Sequence, residues 1–92
     1  MNKKHVEGTK KGDVLIYALT TCVWCGKVKQ FLTRMGVAYD YIDVDELRGS
    51  EKEEVMNEVK QFNPQCSFPT IRINDKCIVG FKEDKIKEAL GE

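Results

Sequence analysis

Apolar residues do not keep one period along this chain, and each change of period marks an element. Val14 to Leu19 is an unbroken apolar run with β-branched and aromatic members, the pattern of a central strand covered on both faces. It stops at Thr20-Thr21. Val28, Phe31, Leu32 and Met35 then recur at helical spacing, and Gly36 ends the pattern as a C-terminal cap does. Tyr39 to Val44 returns to aromatic and β-branched residues broken by Asp40 and Asp43, which suits a strand nearer a sheet edge. A second helical pattern is clearest from Glu51 to Phe62, where Val55, Val59 and Phe62 share a face, Ser50 is placed to cap the start and Pro64 forbids continuation. Ile71 and Ile73 alternate with polar neighbours, Asn74-Asp75-Lys76 carries turn chemistry, and Cys77 to Phe81 is apolar again, so a β-hairpin is expected. Ile86, Ala89 and Leu90 form the stripe of a last short helix beginning near Lys82-Glu83-Asp84. The order that results is βαβαββα. Residues 1–12 mix Lys, Gly, Thr and Glu without a period and are expected to form a flexible arm ahead of one domain over 13–92. His5, the only histidine, falls in that arm, where nothing would hold it in a productive geometry.

Composition narrows the possible roles. Ninety-two residues make one core, and 41% hydrophobic content is enough to fill it. Fifteen basic and fifteen acidic residues cancel and are interspersed, so neither nucleic acid nor an anionic membrane is an expected partner. No run approaches the roughly 18 apolar residues of a membrane span, and segment 1–12 lacks the apolar centre of a secretory signal. A cytoplasmic monomer is the expectation. There, four cysteines point to redox chemistry or metal binding rather than to a stapled secreted scaffold.

The Cys22-x-x-Cys25 spacing puts two thiols on one side of the first turn of the first helix, close enough for a reversible disulfide. Cys22 sits at the helix mouth, where unpaired N–H groups and the positive end of the dipole favour a thiolate; Lys27 and Lys29 add to this. Cys25, one turn inside, would act second, on the mixed disulfide formed at Cys22. The same spacing is half of a zinc site, yet Cys66 and Cys77 are eleven residues apart without a second close pair, so no metal site is expected. A [2Fe–2S] cluster shared between chains, completed by outside thiols, is the alternative kept beside the dithiol reading. Cys66 and Cys77 themselves read either as buried structural thiols or as redox groups or ligands. Pro69, in Ser67-Phe68-Pro69-Thr70, is an ordinary loop proline or the second residue of a cis bond; its pairing with the upstream motif favours cis.

Taken in order, Thr20-Thr21-Cys22-Val23-Trp24-Cys25, the Pro69 loop and Val79-Gly80-Phe81 before the last helix make residues 13–90 resemble the glutaredoxin family. The resemblance implies a thioredoxin-like α/β fold, a four-stranded mixed sheet flanked by helices, with Cys22 exposed at one end and a cis Pro69 against the disulfide. It implies a thiol–disulfide oxidoreductase that reduces protein disulfides with no cofactor beyond the Cys22–Cys25 pair. Thr21, Val23, Trp24, Phe68, Pro69, Gly80 and Phe81 would form its substrate-binding surface, the Phe68 backbone pairing with a substrate as an added strand. Trp24 reads equally as a lid on the helix start. Departures from the family pattern bear on the electron source. Relatives that use glutathione usually carry Cys-Pro-Tyr-Cys or a monothiol variant, a Lys three positions earlier, and an acidic pair after Gly-Gly. Here Val23, Leu19 and Val79-Gly80-Phe81-Lys82 stand instead. Cys22-Val23-x-Cys25 and Gly80-Phe81-Lys82-x-Asp84 are similar to the NrdH-redoxin branch. That implies a thioredoxin-reductase-like flavoprotein as reductant, or a low-molecular-weight thiol, and ribonucleotide reductase among the acceptors. The region Asp45 to Pro64 is longer than expected for that branch, and Cys66 adds a thiol near the proline loop. A reading outside enzymology is an interaction module with incidental cysteines.

Overall fold

The computed structural model describes residues 3–91; Met1 and Asn2 of the expected arm, and Glu92 at the end of the expected domain, lie outside the described residues. In chain order the elements are β1 (Lys4–Val6), β2 (Val14–Ala18), α1 (Val23–Arg34), β3 (Tyr39–Asp43), a 3-10 turn (Val44–Glu46), α2 (Gly49–Phe62), β4 (Thr70–Ile73), β5 (Lys76–Val79) and α3 (Glu83–Leu90). The expected βαβαββα order is present, with one strand added in front, and the sheet runs β1-β3-β2-β4-β5.

Strand β2 is unbroken in its hydrophobicity because it is central. It pairs in parallel with β3, Ala18 opposite Asp43, and antiparallel with β4, Tyr17 opposite Thr70. Alternate side chains therefore feed two cores. Val14, Ile16 and Ala18 join Val28 and Leu32 of α1 and Ile86 and Leu90 of α3 on one face. Tyr17 joins Ile42, Val44, Leu47 and the α2 residues Val55 and Val59 on the other. Burying each such Val, Leu or Ile contributes about 1.5–3 kcal/mol, so the two layers of helix are held chiefly by these stripes. Polar contacts fix the register of α2: the Tyr17 hydroxyl donates to Glu58 at 3.1 Å and accepts from Arg72 at 3.2 Å. Gly36, at φ +70°, ends α1, and Asn74, at φ +55°, makes the two-residue turn of the β4–β5 hairpin.

Over residues 4–9, the segment expected to be an arm is instead joined to the sheet. Strand β1 pairs antiparallel with β3, His5 opposite Asp40, and Thr9 bridges Val37 through Thr9 N–H to Gly36 O (2.7 Å) and Ala38 N–H to Thr9 O (2.9 Å). Gly8 lies so near this bridge that a Cβ there would come within 2.7 Å of the Ala38 nitrogen. Backbone pairing holds the segment, so its side chains carry no period to betray it. His5 is likewise held, its Nδ1 2.7 Å from Asp40 Oδ1. Three smaller expectations also change. Tyr39–Asp43 gives way at Val44 to the 3-10 turn. Helix α2 begins at Gly49 with no side-chain cap, so Ser50 lies inside it. Phe62 leaves the buried stripe, 37% exposed, with the Arg72 guanidinium 4.2 Å from its ring centre.

Candidate active site

The parallel strands β2 and β3 end on the same side of the sheet, and the chain leaving β2 turns there into α1. Cys22 N–H donates to Leu19 O at 3.1 Å, closing a tight turn over Thr20-Thr21, and Cys22 becomes the N-cap of α1 (φ −82°, ψ 115°). Its Sγ accepts the Cys25 N–H at 3.1 Å, and the two cysteines form a disulfide with Cα atoms 5.2 Å apart. The geometry separates the two sulfurs. Cys22 is partly exposed, whereas Cys25 is 1% exposed within the core under α1. No acidic residue occupies the first turn of the helix, so nothing there offsets the positive dipole end.

The Phe68–Pro69 peptide is cis, as the motif pairing favoured. Pro69 is buried, and its carbonyl accepts the Gly80 N–H at 2.9 Å, which ties the proline loop to the end of β5. Gly80 takes φ +87°, a left-handed conformation that glycine adopts without strain, and so directs Phe81 toward α1. The Phe81 ring lies 6.4 Å from Trp24 and 5.7 Å edge-on from Phe31. Cys22, Phe68 and Phe81 all pack on the core cluster that contains Cys25. Of the expected site residues, the structure thus gathers Cys22, Cys25, Trp24, Phe68, Pro69, Gly80 and Phe81 at one end of the sheet. Thr21 and Val23 stand next to Cys22 in the chain; both are exposed, Val23 by 70%, and Trp24 is 57% exposed with Lys27 over its ring at 5.6 Å.

Two supporting groups were not legible in the sequence. Asp45, in the 3-10 turn, accepts the Thr20 N–H on Oδ1 at 3.0 Å and the Thr20 hydroxyl on Oδ2. These bonds, the hydroxyl first, hold the Asp45 carboxyl below its ordinary range. Asn63, only 4% exposed, lies behind the proline loop. Its Nδ2 donates to Ser67 O and Oγ at 3.0 Å each and to Thr70 Oγ1 at 3.2 Å, while Thr70 Oγ1 donates to Ser67 O at 2.7 Å. The one available signal was the string of short polar side chains, Asn63, Ser67 and Thr70, around a proline turn.

The other two cysteines, Cys66 and Cys77, are free thiols. Cys66, at φ +52°, packs beside the α2-side core. Cys77, on β5, donates to Phe62 O at 3.4 Å, and burial raises its thiol. Among the described residues no group of three or more His, Cys, Asp or Glu is gathered to hold a metal ion.

Comparison with known proteins agrees with this architecture. The glutaredoxin family model matches residues 14–78. A glutaredoxin of Methanosarcina mazei Go1 superposes with a TM-score of 0.91 at 54% identity, over 98% of this chain and 88% of that one. The methanoredoxin of Methanosarcina acetivorans gives a TM-score of 0.87 at 49% identity, over 92% and 90% of the two chains. A glutaredoxin-like 8.6 kDa protein in the rubredoxin operon of Clostridium pasteurianum is 30% identical over 77 residues, 84% of this chain and 96% of its own length.

Proposed function

The chain belongs to the glutaredoxin family of thiol–disulfide oxidoreductases, and from that premise we propose that it is a cytoplasmic dithiol electron carrier that reduces protein disulfides, Cys22 attacking and Cys25 resolving. The observation that carries this reading is the difference in exposure across one disulfide, Cys22 open at the helix mouth and Cys25 sealed one turn below. In the reduced protein the Cys22 thiolate attacks one sulfur of a substrate disulfide. That S–S bond breaks, the leaving sulfur departs as a thiolate and takes a proton from solvent, and a mixed disulfide remains on Cys22. Cys25, deprotonated, then attacks Cys22 Sγ, which releases the second substrate thiolate and leaves the Cys22–Cys25 disulfide. Substrate has gained two electrons and two protons; a reductant returns the same number to the pair. Trp24, Phe68 and Phe81 supply the apolar rim on which a protein substrate would rest, and the Phe68 backbone offers strand-like pairing.

For the reductant, we favour a thioredoxin-reductase-like flavoprotein or a low-molecular-weight thiol other than glutathione. Leu19 is drawn into the α2-side core and Phe81 into the aromatic cluster. Neither offers a partner to glutathione's carboxylates or ammonium. Ribonucleotide reductase is the acceptor class that the NrdH-redoxin likeness suggests. Mass spectrometry of single-cysteine variants with a disulfide substrate tests the mechanism: Cys25→Ser should accumulate a substrate adduct on Cys22, and Cys22→Ser should be inactive and unmodified. Adducts on Cys25 in Cys22→Ser, with none on Cys22 in Cys25→Ser, would reverse the assignment.

A further inference from the structure

The turn that presents Cys22 lies open to solvent. Thr20 and Thr21 are both exposed, so apolar packing does not determine their conformation. Thr20 is instead reached by a carboxylate from 25 positions further along the chain. Both Asp45 oxygens are spent on Thr20, one on its backbone N–H and one on its hydroxyl. This two-point grip fixes the Thr20 backbone and its side-chain rotamer together. The next link is the Cys22 N–H to Leu19 O bond that closes the turn, and the one after it is the N-cap geometry in which Cys22 Sγ faces the Cys25 N–H.

Resting on the reading of Cys22 as the attacking thiol, we propose that Asp45 is a positioning residue for that thiol, seating Cys22 at the helix mouth through its two hydrogen bonds to Thr20. Charge alone would give the opposite effect. A carboxylate brought to the Cys22 turn repels a thiolate, and α1 has no acid of its own in its first turn. Two cations lie on the elements beside the grip: Lys52 acts on Asp45 from α2, and Lys27 lies over Trp24 on α1. Asp45 therefore helps the thiolate by geometry and opposes it by charge, and substitutions separate the two.

The experiment is the pH dependence of iodoacetamide alkylation of Cys22 in the fully reduced protein, read peptide by peptide by mass spectrometry. Asp45→Ala removes grip and charge together. Its Cys22 midpoint should rise, leaving about threefold less thiolate below the midpoint, the scale of a helix-terminus interaction. Asp45→Asn keeps an acceptor for the Thr20 N–H and a polar partner for the hydroxyl while losing the charge, so its midpoint should stay at or below that of the parent. A midpoint in Asp45→Ala at or below the parent's would show that Asp45 acts as a charge and overturn the proposal. A rise in Asp45→Asn equal to that in Asp45→Ala would also overturn it. Should Asp45→Ala fail to fold, Thr20→Val, which removes only the hydroxyl bond, must show an upward shift, and its absence overturns the proposal. Failure of the underlying reading looks different: Cys22 of the unaltered protein would then alkylate no faster than an ordinary thiol.

Discussion

Replacing Asn63 by alanine tests whether the proline loop is held from behind. The carboxamide is 4% exposed, and its two N–H bonds are shared among Ser67 O, Ser67 Oγ and Thr70 Oγ1. Its Oδ1 accepts the Gln65 N–H at 3.3 Å. Alanine removes all of these and leaves the Ser67 and Thr70 oxygens with less than their full complement of partners. At a net of about 0.5–1.5 kcal/mol per hydrogen bond, the loss comes to about 2–3 kcal/mol. A small domain has only about 5–15 kcal/mol of stability in all, so the melting temperature should fall by roughly 10–20 °C. Circular dichroism melts and urea titrations measure this directly. Thr70→Val removes the other end of the same network, including the 2.7 Å bond to Ser67 O, so the double variant should lose less than the sum of the two single ones. Disulfide turnover below the melt should also drop, since the Phe68–Pro69 loop would lose its support. An Asn63→Ala protein within about 1 kcal/mol of the parent, or strict additivity with Thr70→Val, would refute the reasoning.

Acid should distinguish Asp45 from its amide. Its carboxyl is held low when folded, so its contribution is present above the ordinary carboxylate value of about 3.9 and is lost as pH falls through the folded value; Asp45→Asn should melt below the parent at pH 7, and the gap should close in strong acid. Cys77, raised by burial, should alkylate more slowly than Cys22 at neutral pH and require more alkaline solution, as timed peptide mapping would report; equal rates would contradict its placement. Supplied with NADPH, the protein should turn over faster with thioredoxin reductase than with glutathione and glutathione reductase. Two missing charge-assisted contacts at roughly 1.5–3 kcal/mol each weaken glutathione about a hundredfold or more.

The sequence was most legible where a side chain's role is set by burial. Val14 to Leu19 reads as a two-faced strand because both of its faces are in fact covered, and Gly36 reads as a stop because the backbone there turns left-handed. Cys22 and Cys25 were legible because a three-residue spacing on a helix start has few geometric outcomes. Strand β1 was not, since Lys4 and His5 are exposed polar residues whose links to the sheet, backbone pairing and contacts such as His5 with Asp40, leave no apolar period. Asp45 and Asn63 were hidden for a related reason. Each acts through a polar side chain on a backbone group, and such a bond leaves no period in the chain. Phe62 misled because helical spacing counts it inward, whereas the end of α2 presents it to Arg72 instead.

The seam between β1 and β3 bears on any shortened version of the protein. A cut before residue 13 discards a mostly polar segment, yet it would strip the outer edge of β3 over Tyr39–Tyr41 of its backbone partners. An uncovered strand edge is a template on which another molecule's strand adds, and natural sheets protect such edges. The damage would then appear first as self-association and loss of solubility at high concentration, with the Cys22 end of the sheet still chemically intact. Seen this way, residues 4–9 serve as a guard rail against aggregation.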